Sequence, residues 1–112
     1  MNGKIKLKEK DTKALDEFKT AVLKEFPGAE IILFGSKLSG LDDEASDIDV
    51  LVILGKSINT AVEKRIFNIG FETGLRLEVV FGIVVEEREF WNSDLAKAMP
   101  LYQNVAQKGV VV

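Results

Sequence analysis

Residues 33–54 read LFGSKLSGLDDEASDIDVLVIL, and this stretch decides the fold because it joins two apolar runs through a polar loop. The first run ends at Gly35-Ser36, and the second begins with Asp47-Ile48-Asp49. Backbone N–H groups around a Gly-Ser pair can bind an anion, and two neighbouring carboxylates can bind a hard cation. The stretch therefore predicts two strands that hold a phosphate and a metal together, as in a metal-bound nucleoside triphosphate.

The composition excludes several classes of chemistry. The 112 residues contain no cysteine and no histidine, which excludes disulfides, Cys/His zinc sites, thiol nucleophiles and imidazole-dependent triads. Residues 42–49 contain five acids and no base, and their electrostatic field favours a cation. With 46% hydrophobic residues, the chain is long enough to bury one core, and we expect a single domain over residues 1–112.

The first thirteen residues, MNGKIKLKEKDTK, are rich in lysine and contain no apolar signal core. No apolar run in the chain approaches the ~18 residues that cross a membrane. We therefore expect a cytoplasmic protein that does not associate with a membrane. The lysines can contact nucleic acid, although a solvated chain end is the commoner reason for such a run.

Apolar spacing predicts the elements that begin the chain. Spacings of three and four predict an amphipathic helix that is capped at Asp11 or Thr12 and ends before Pro27-Gly28. Its apolar residues are Leu15, Phe18, Val22 and Phe26. The apolar runs at residues 29–34 and 48–54 predict two strands near the middle of a sheet.

The second half of the chain continues the alternation of helices and strands. Helical spacing predicts a helix over residues 58–73, with Gly74 where a helix would stop. A third strand is predicted from about Leu75, with a bulge or bend at Gly82, and residues 86–108 are predicted to be helical with a break near Pro100. This order predicts an α/β (α+β) fold, a two-layer domain in which helices pack on one face of a small mixed β-sheet.

The acidic pair suits a metal because of its position on a strand. Residues two apart in a strand project from the same face, so Asp47 and Asp49 lie together with their Cα atoms about 6.5 Å apart. Glu78, on the predicted third strand, is a candidate third ligand if the strands pair. For an isolated Asp-x-Asp, a strand-edge position with a turn-capping role is the commoner explanation, and Glu78 can equally be an exposed residue paired with Arg76.

The Gly-Ser loop is the candidate phosphate side of the site. Gly35 can adopt backbone angles that let the chain approach a ligand, and Ser36 offers a hydroxyl and an N–H at the predicted start of a short helix. Lys37 can add positive charge. Taken alone, Gly-Ser indicates only a turn.

Together these motifs resemble a known family. Gly35-Ser36, ten intervening residues and Asp47-Ile48-Asp49 between two apolar strands resemble the minimal nucleotidyltransferases of the DNA polymerase β superfamily. The closing segment at residues 100–109 also looks like that of these small proteins. The resemblance covers most of the chain and implies a polymerase β-like nucleotidyltransferase fold.

The resemblance implies roles for individual residues. Asp47, Asp49 and Glu78 would be the catalytic metal ligands, holding Mg²⁺ as two ions for which Mn²⁺ can substitute. Gly35 and Ser36, helped by Lys37, would bind the nucleotide's terminal phosphates. The implied reaction is attack by an acceptor hydroxyl on the α-phosphorus of a nucleoside triphosphate, with release of pyrophosphate.

Two departures from the family pattern bear on activity. Many relatives carry an arginine where this chain has Ser39, and the third acid is commonly aspartate. The resemblance also implies ATP as the nucleotide and a small helical partner of the HEPN type in a toxin–antitoxin arrangement. A catalytically weak nucleotide-binding subunit, a homo-oligomer and a purely structural role for the aspartates stay open, as do the base and the acceptor.

Overall fold

The computed structural model describes residues 7–39, 47–55 and 57–112. Its helices and strands follow one another in the order α1 (Glu9–Glu25), β1 (Glu30–Phe34), α2 (Ser36–Ser39), β2 (Ile48–Leu54), α3 (Thr60–Leu77), β3 (Phe81–Glu87), α4 (Arg88–Trp91), α5 (Asp94–Lys97), α6 (Pro100–Lys108) and β4 (Val110–Val111). None of these helices is both long and apolar enough to span a membrane. The lysine-rich start up to residue 6 and the acids at 42–44 lie outside the described residues.

The four strands form one mixed sheet in the order β3-β2-β1-β4. β1 runs antiparallel to β2 and β4, whereas β2 and β3 are parallel and are joined by α3. β1 and β2, which the polar loop joins, are therefore the inner strands of the sheet, as predicted. β4 was not predicted, and its two valines pair with Ile32 and Leu33 of β1.

Side chains of β2 divide between two hydrophobic clusters because successive residues point to opposite faces. Val50 and Val52 pack with Phe18 of α1 and Ile66 of α3, in the larger cluster. The smaller cluster holds Leu51, Ile53, Trp91 and Val105, with Ile32. The predicted mixed fold class is confirmed, and the structure adds a helical cover from α4 and α6 on the second face, where the sequence had predicted helices on one face only.

The boundaries of α3 and β3 differ from the prediction. α3 passes through Gly74 and ends at Leu77, and β3 begins only at Phe81. Gly74 is buried inside the helix, where a Cβ atom would clash with the carbonyl oxygen of Val79. A glycine in a helical pattern either ends the helix or allows another group to pack closely against it. Gly74 does the second, because the Val79 carbonyl lies against it.

A buried ion pair joins α1 to α2. Asp11 lies in the first turn of α1, which begins after Lys8, so Asp11 is not the predicted cap. The Nζ atom of Lys37 in α2 lies 2.9 Å from Asp11 Oδ2, and the two side chains are only 2% and 5% exposed. That oxygen accepts no well-aligned hydrogen bond from the described residues, so charge attraction dominates the contact. The pair fixes the short helix that follows the Gly-Ser loop against α1.

Breaking this pair on one side should be costly. Lys37→Met leaves the Asp11 carboxylate buried without its cation and should lower the free energy of unfolding by about 3–5 kcal/mol, measured by urea titration. The double variant Asp11→Leu/Lys37→Met removes both charges and should recover most of that loss. Arg65→Met, which breaks the exposed pair with Glu25, is the control and should change stability little. Equal losses for Lys37→Met and Arg65→Met would contradict a special role for the buried pair.

Candidate functional site

The two aspartates lie where β2 begins. Asp47 is exposed and immediately precedes the strand, and Asp49 is its second residue and is partly buried. Asp49 lies on the same face of the strand as Leu51 and Ile53, because these residues are two and four positions further on. The pair therefore occupies the sheet face that α4 and α6 cover only in part.

The carboxylate of Asp49 lies in a cleft between two glycines. In the sheet, Asp49 is opposite Gly82 of β3 and Phe34 of β1, the residue before Gly35. A Cβ atom on Gly82 would lie 2.6 Å from Asp49 Oδ1, and one on Gly35 would clash with Asp49 Oδ2. We call the space between Gly35 and Gly82 the glycine cleft. The Asp49 carboxylate fills it, and a side chain on either glycine would take the place of that carboxylate.

The glycine cleft brings the two halves of the sequence motif into contact. Gly35 has φ +86°, a left-handed backbone conformation that residues other than glycine rarely adopt. A Cβ on Gly82 would also lie 3.8 Å from Asp47 Oδ2, so both carboxylates approach the same point beside β3. The Gly-Ser loop and the acidic pair are therefore adjacent in space as well as in strand order.

Electrostatics make this position unfavourable for two bare carboxylates. Burial raises the pKa of the Asp49 carboxyl above its usual range, and the neighbouring charge of Asp47 raises it further. A divalent cation between the two groups would offset the repulsion and supply the solvation that burial removes. Two carboxylates that converge on one point fit a hard cation such as Mg²⁺.

The candidate phosphate side of the motif begins a short helix, as predicted. Ser36 is the first residue of α2, and the N–H of Leu38 donates to the carbonyl oxygen of Gly35 at 3.1 Å. The Ser36 residue is exposed beside the glycine cleft. An N–H and a hydroxyl at this position are suited to phosphate oxygens.

Two predicted site residues lie elsewhere. The Lys37 ammonium is buried against Asp11 instead of lying exposed beside Ser36, so the structure does not bring its charge to the phosphate side, and its nucleotide-binding role stays a prediction. Glu78 follows α3 in a left-handed conformation with φ 61°, is exposed, and precedes β3 instead of lying on it. Among the described residues, no three carboxylates lie close enough to hold a metal together, so the structure does not join Glu78 to Asp47 and Asp49.

Gly82 contributes to the site, although the sequence predicted only a bulge or bend at this residue. A glycine within a strand pattern indicates either a bulge or a close approach by another group, and a bulge or bend was predicted. The pairing of β3 with β2 runs through Gly82 without interruption, and the group that approaches is the Asp49 carboxylate. The parallel register, which no local pattern reveals, decides between the two.

Comparison with known proteins assigns the family. Residues 15–102 match the family described as a nucleotidyltransferase domain. The chain belongs to this family. The match confirms the resemblance drawn from Gly35-Ser36 and Asp47-Ile48-Asp49 and makes the protein an enzyme of the nucleotidyltransferase class. No curated protein sequence matches the chain.

Two solved structures share the fold of this nucleotidyltransferase domain. One is described as a crystal structure of a toxin–antitoxin with AMP-PNP; it has a TM-score of 0.57 and 20% identity, and the match covers 84% of this chain and 68% of that one. The other is a mutant of the toxin–antitoxin MntA–HpeT, with a TM-score of 0.53 and 17% identity, covering 83% and 68%. At these identities the likeness establishes the fold.

Filling the glycine cleft should weaken ligand binding without unfolding the nucleotidyltransferase domain. Gly82→Ala displaces the Asp49 carboxylate, and we expect the apparent affinity for Mn²⁺ with a nucleoside triphosphate to fall about tenfold or more by calorimetry, a loss of roughly 1.4 kcal/mol. Gly55→Ala is the matched control, since a Cβ there meets nothing within 4 Å. Unchanged binding in Gly82→Ala would show that the carboxylate position is unimportant.

The raised pKa of Asp49 gives a pH-dependent effect on stability. The folded carboxyl takes up its proton at higher pH than the unfolded one, so ionised Asp49 destabilises the metal-free fold above the folded pKa. Asp49→Asn should therefore raise the melting temperature at neutral pH in a chelating buffer. The gain should shrink as pH falls through the folded pKa and vanish below about pH 4, where both states of the wild type are protonated. A gain that is constant from pH 4 to pH 8, as scanned by thermal melting, would contradict this origin.

Proposed function

We propose that this domain transfers a nucleoside monophosphate from a Mg²⁺-bound nucleoside triphosphate to an acceptor hydroxyl, releasing pyrophosphate. The observation that carries the proposal is the contact of the phosphate loop with the metal-binding pair: the Asp49 carboxylate lies directly against Gly35. A metal held by Asp49 would thus be next to phosphate groups bound at Gly35 and Ser36. Membership of the nucleotidyltransferase family supplies the reaction class.

Each residue of the site has a separate task in this reaction. Asp47 and Asp49 would hold Mg²⁺, with Mn²⁺ as a substitute, and the glycine cleft sets the position of the Asp49 oxygens. Gly35 and Ser36 would bind and orient the terminal phosphates through N–H and hydroxyl groups. When bound, Mg²⁺ supplies charge neutralisation at the phosphates and lowers the pKa of a coordinated hydroxyl. Two carboxylates suffice for Mg²⁺, which usually keeps waters and phosphate oxygens as its other ligands.

The structural neighbours favour ATP and a protein partner. Both are toxin–antitoxin complexes, and one contains the nucleotide analogue AMP-PNP. We propose that this chain likewise uses ATP and acts as the antitoxin-type partner of a small helical protein of the HEPN type, which would carry or present the acceptor. A reaction that consumes a nucleoside triphosphate is consistent with a cytoplasmic location.

A second candidate function rests on what the site lacks. Among the described residues, only two carboxylates converge, and Lys37 is engaged with Asp11. A site with this reduced charge could bind Mg²⁺ and ATP while transferring nucleotide slowly. In that case the protein would be a nucleotide-binding subunit of a two-component complex.

A transfer assay distinguishes these functions. With α-labelled ATP, Mg²⁺ or Mn²⁺ and the co-purified partner, the wild type should move label onto protein or RNA, and Asp49→Asn should reduce the rate at least ~100-fold because the metal ligand is lost. Asp94→Asn, an exposed acid of α5, is the control and should be fully active. Glu78→Gln should keep most of the activity if Glu78 is not a metal ligand.

Two outcomes would change the assignment. Calorimetric binding of ATP and Mg²⁺ that depends on Asp49, without transfer to any acceptor, would establish the nucleotide-binding subunit. No binding and no transfer with any nucleotide or metal would leave the aspartates with a structural role and would overturn the proposed function.

A further inference from the structure

One face of α3 is apolar and points away from the core. Phe67, Phe71 and Leu75 recur every four residues and are 42%, 65% and 67% exposed. The opposite side of the helix, with Ile66 and Ile69, is buried against the sheet and α1. Residues four apart lie on one side of a helix, so the three exposed side chains form a continuous stripe, which we call the α3 stripe.

The ends of the α3 stripe carry opposite charges. Lys64 lies three residues before Phe67, and Glu78 lies three residues after Leu75. Both are exposed, and neither is in an ion pair given by the structure among the described residues. Lys64 lies two helical turns before Phe71 and therefore on the same side of α3, whereas Glu78 directly follows the last helical residue, Leu77, at the opposite end of the stripe.

This spacing is self-complementary. When two identical helices pack antiparallel about a two-fold axis at Phe71, each residue n positions before Phe71 meets the residue n positions after it in the other copy. The two Phe71 rings then meet at the axis, and Phe67 faces Leu75. The end of the stripe that carries Lys64 in each copy then meets the end that carries Glu78 in the other, so opposite charges approach each other at both ends of the interface.

We propose that the α3 stripe is the interface of a homodimer, in which α3 packs antiparallel against α3 of a second copy. A groove of about 410 Å³ lies beside the stripe, between α3 and the edge strand β3. Gly70 and Gly74 form its floor on the helix, and Val80, 61% exposed, lines its other wall. The glycines let Ile83 and the Val79 carbonyl pack closely against the helix, and aromatic side chains of the second copy can enter the groove because its lining residues are mostly apolar.

The homodimer is compatible with the proposed function but does not depend on it. Val50 and Val52 of β2 pack with α3, whereas Asp49 points to the face shared with Leu51 and Ile53. The α3 stripe and the aspartates therefore belong to opposite sides of the sheet. Dimerisation leaves the glycine cleft open, so oligomeric state and nucleotide transfer can be tested separately.

Sedimentation equilibrium of the full chain, from low micromolar to millimolar concentration, tests the interface. The wild type should show a reversible monomer–dimer equilibrium. Phe71→Glu should raise the dissociation constant at least ~100-fold, because two buried rings are replaced by two facing charges in each dimer. Leu95→Glu on α5 is the matched control, since Leu95 is 71% exposed and lies off the stripe, and it should dimerise as the wild type does. Circular dichroism checks that both variants remain folded.

Charge exchange tests the antiparallel register. Lys64→Glu and Glu78→Lys should each weaken the dimer, because they place like charges opposite each other, and the double variant should restore the wild-type dissociation constant at low salt. A chain that is monomeric at every concentration, which is expected if the stripe binds a different protein, would overturn the proposal. A dimer that resists Phe71→Glu, or a double variant weaker than both single variants, would overturn it as well.

Discussion

The site depends on placing an ionised carboxylate among backbone atoms of three neighbouring segments. Asp49 can occupy that position only because the residues on either side, Gly35 and Gly82, have no side chains. Burial and the charge of Asp47 oppose ionisation there, which raises the pKa of Asp49. A position that disfavours a bare carboxylate and lies beside the Gly-Ser loop, the candidate phosphate site, is one that a metal-bound phosphate would stabilise.

The surrounding fold holds this position steady. β2 is an inner strand and most of its side chains are buried, so the start of β2 cannot shift without disturbing both hydrophobic clusters. The loop at Gly35 is anchored on its other side by α2, which the ion pair between Lys37 and Asp11 attaches to α1. Lys37 therefore supports the Gly-Ser loop through its buried contact with Asp11.

Much of the fold was predictable because it rests on local patterns. The apolar run of residues 48–54, rich in branched side chains, predicted β2 with its observed bounds, and the apolar spacing of Leu15, Phe18 and Val22 predicted α1. The end of α3 was not predictable in the same way, since Gly74 has the local signature of a helix stop but contacts the Val79 carbonyl. That error moved the predicted start of the third strand from Phe81 to about Leu75 and placed Glu78 on that strand.

The sequence by itself determined the family, the two inner strands and the Gly-Ser and Asp-x-Asp motifs, because these depend on residue types at short, fixed separations. Only the tertiary structure decided which of the other residues reach the site. The parallel register of β2 and β3 put Gly82 against Asp49, and the packing of α1 on α2 buried Lys37. Register and burial depend on contacts between residues far apart in the chain, and no local pattern contains that information.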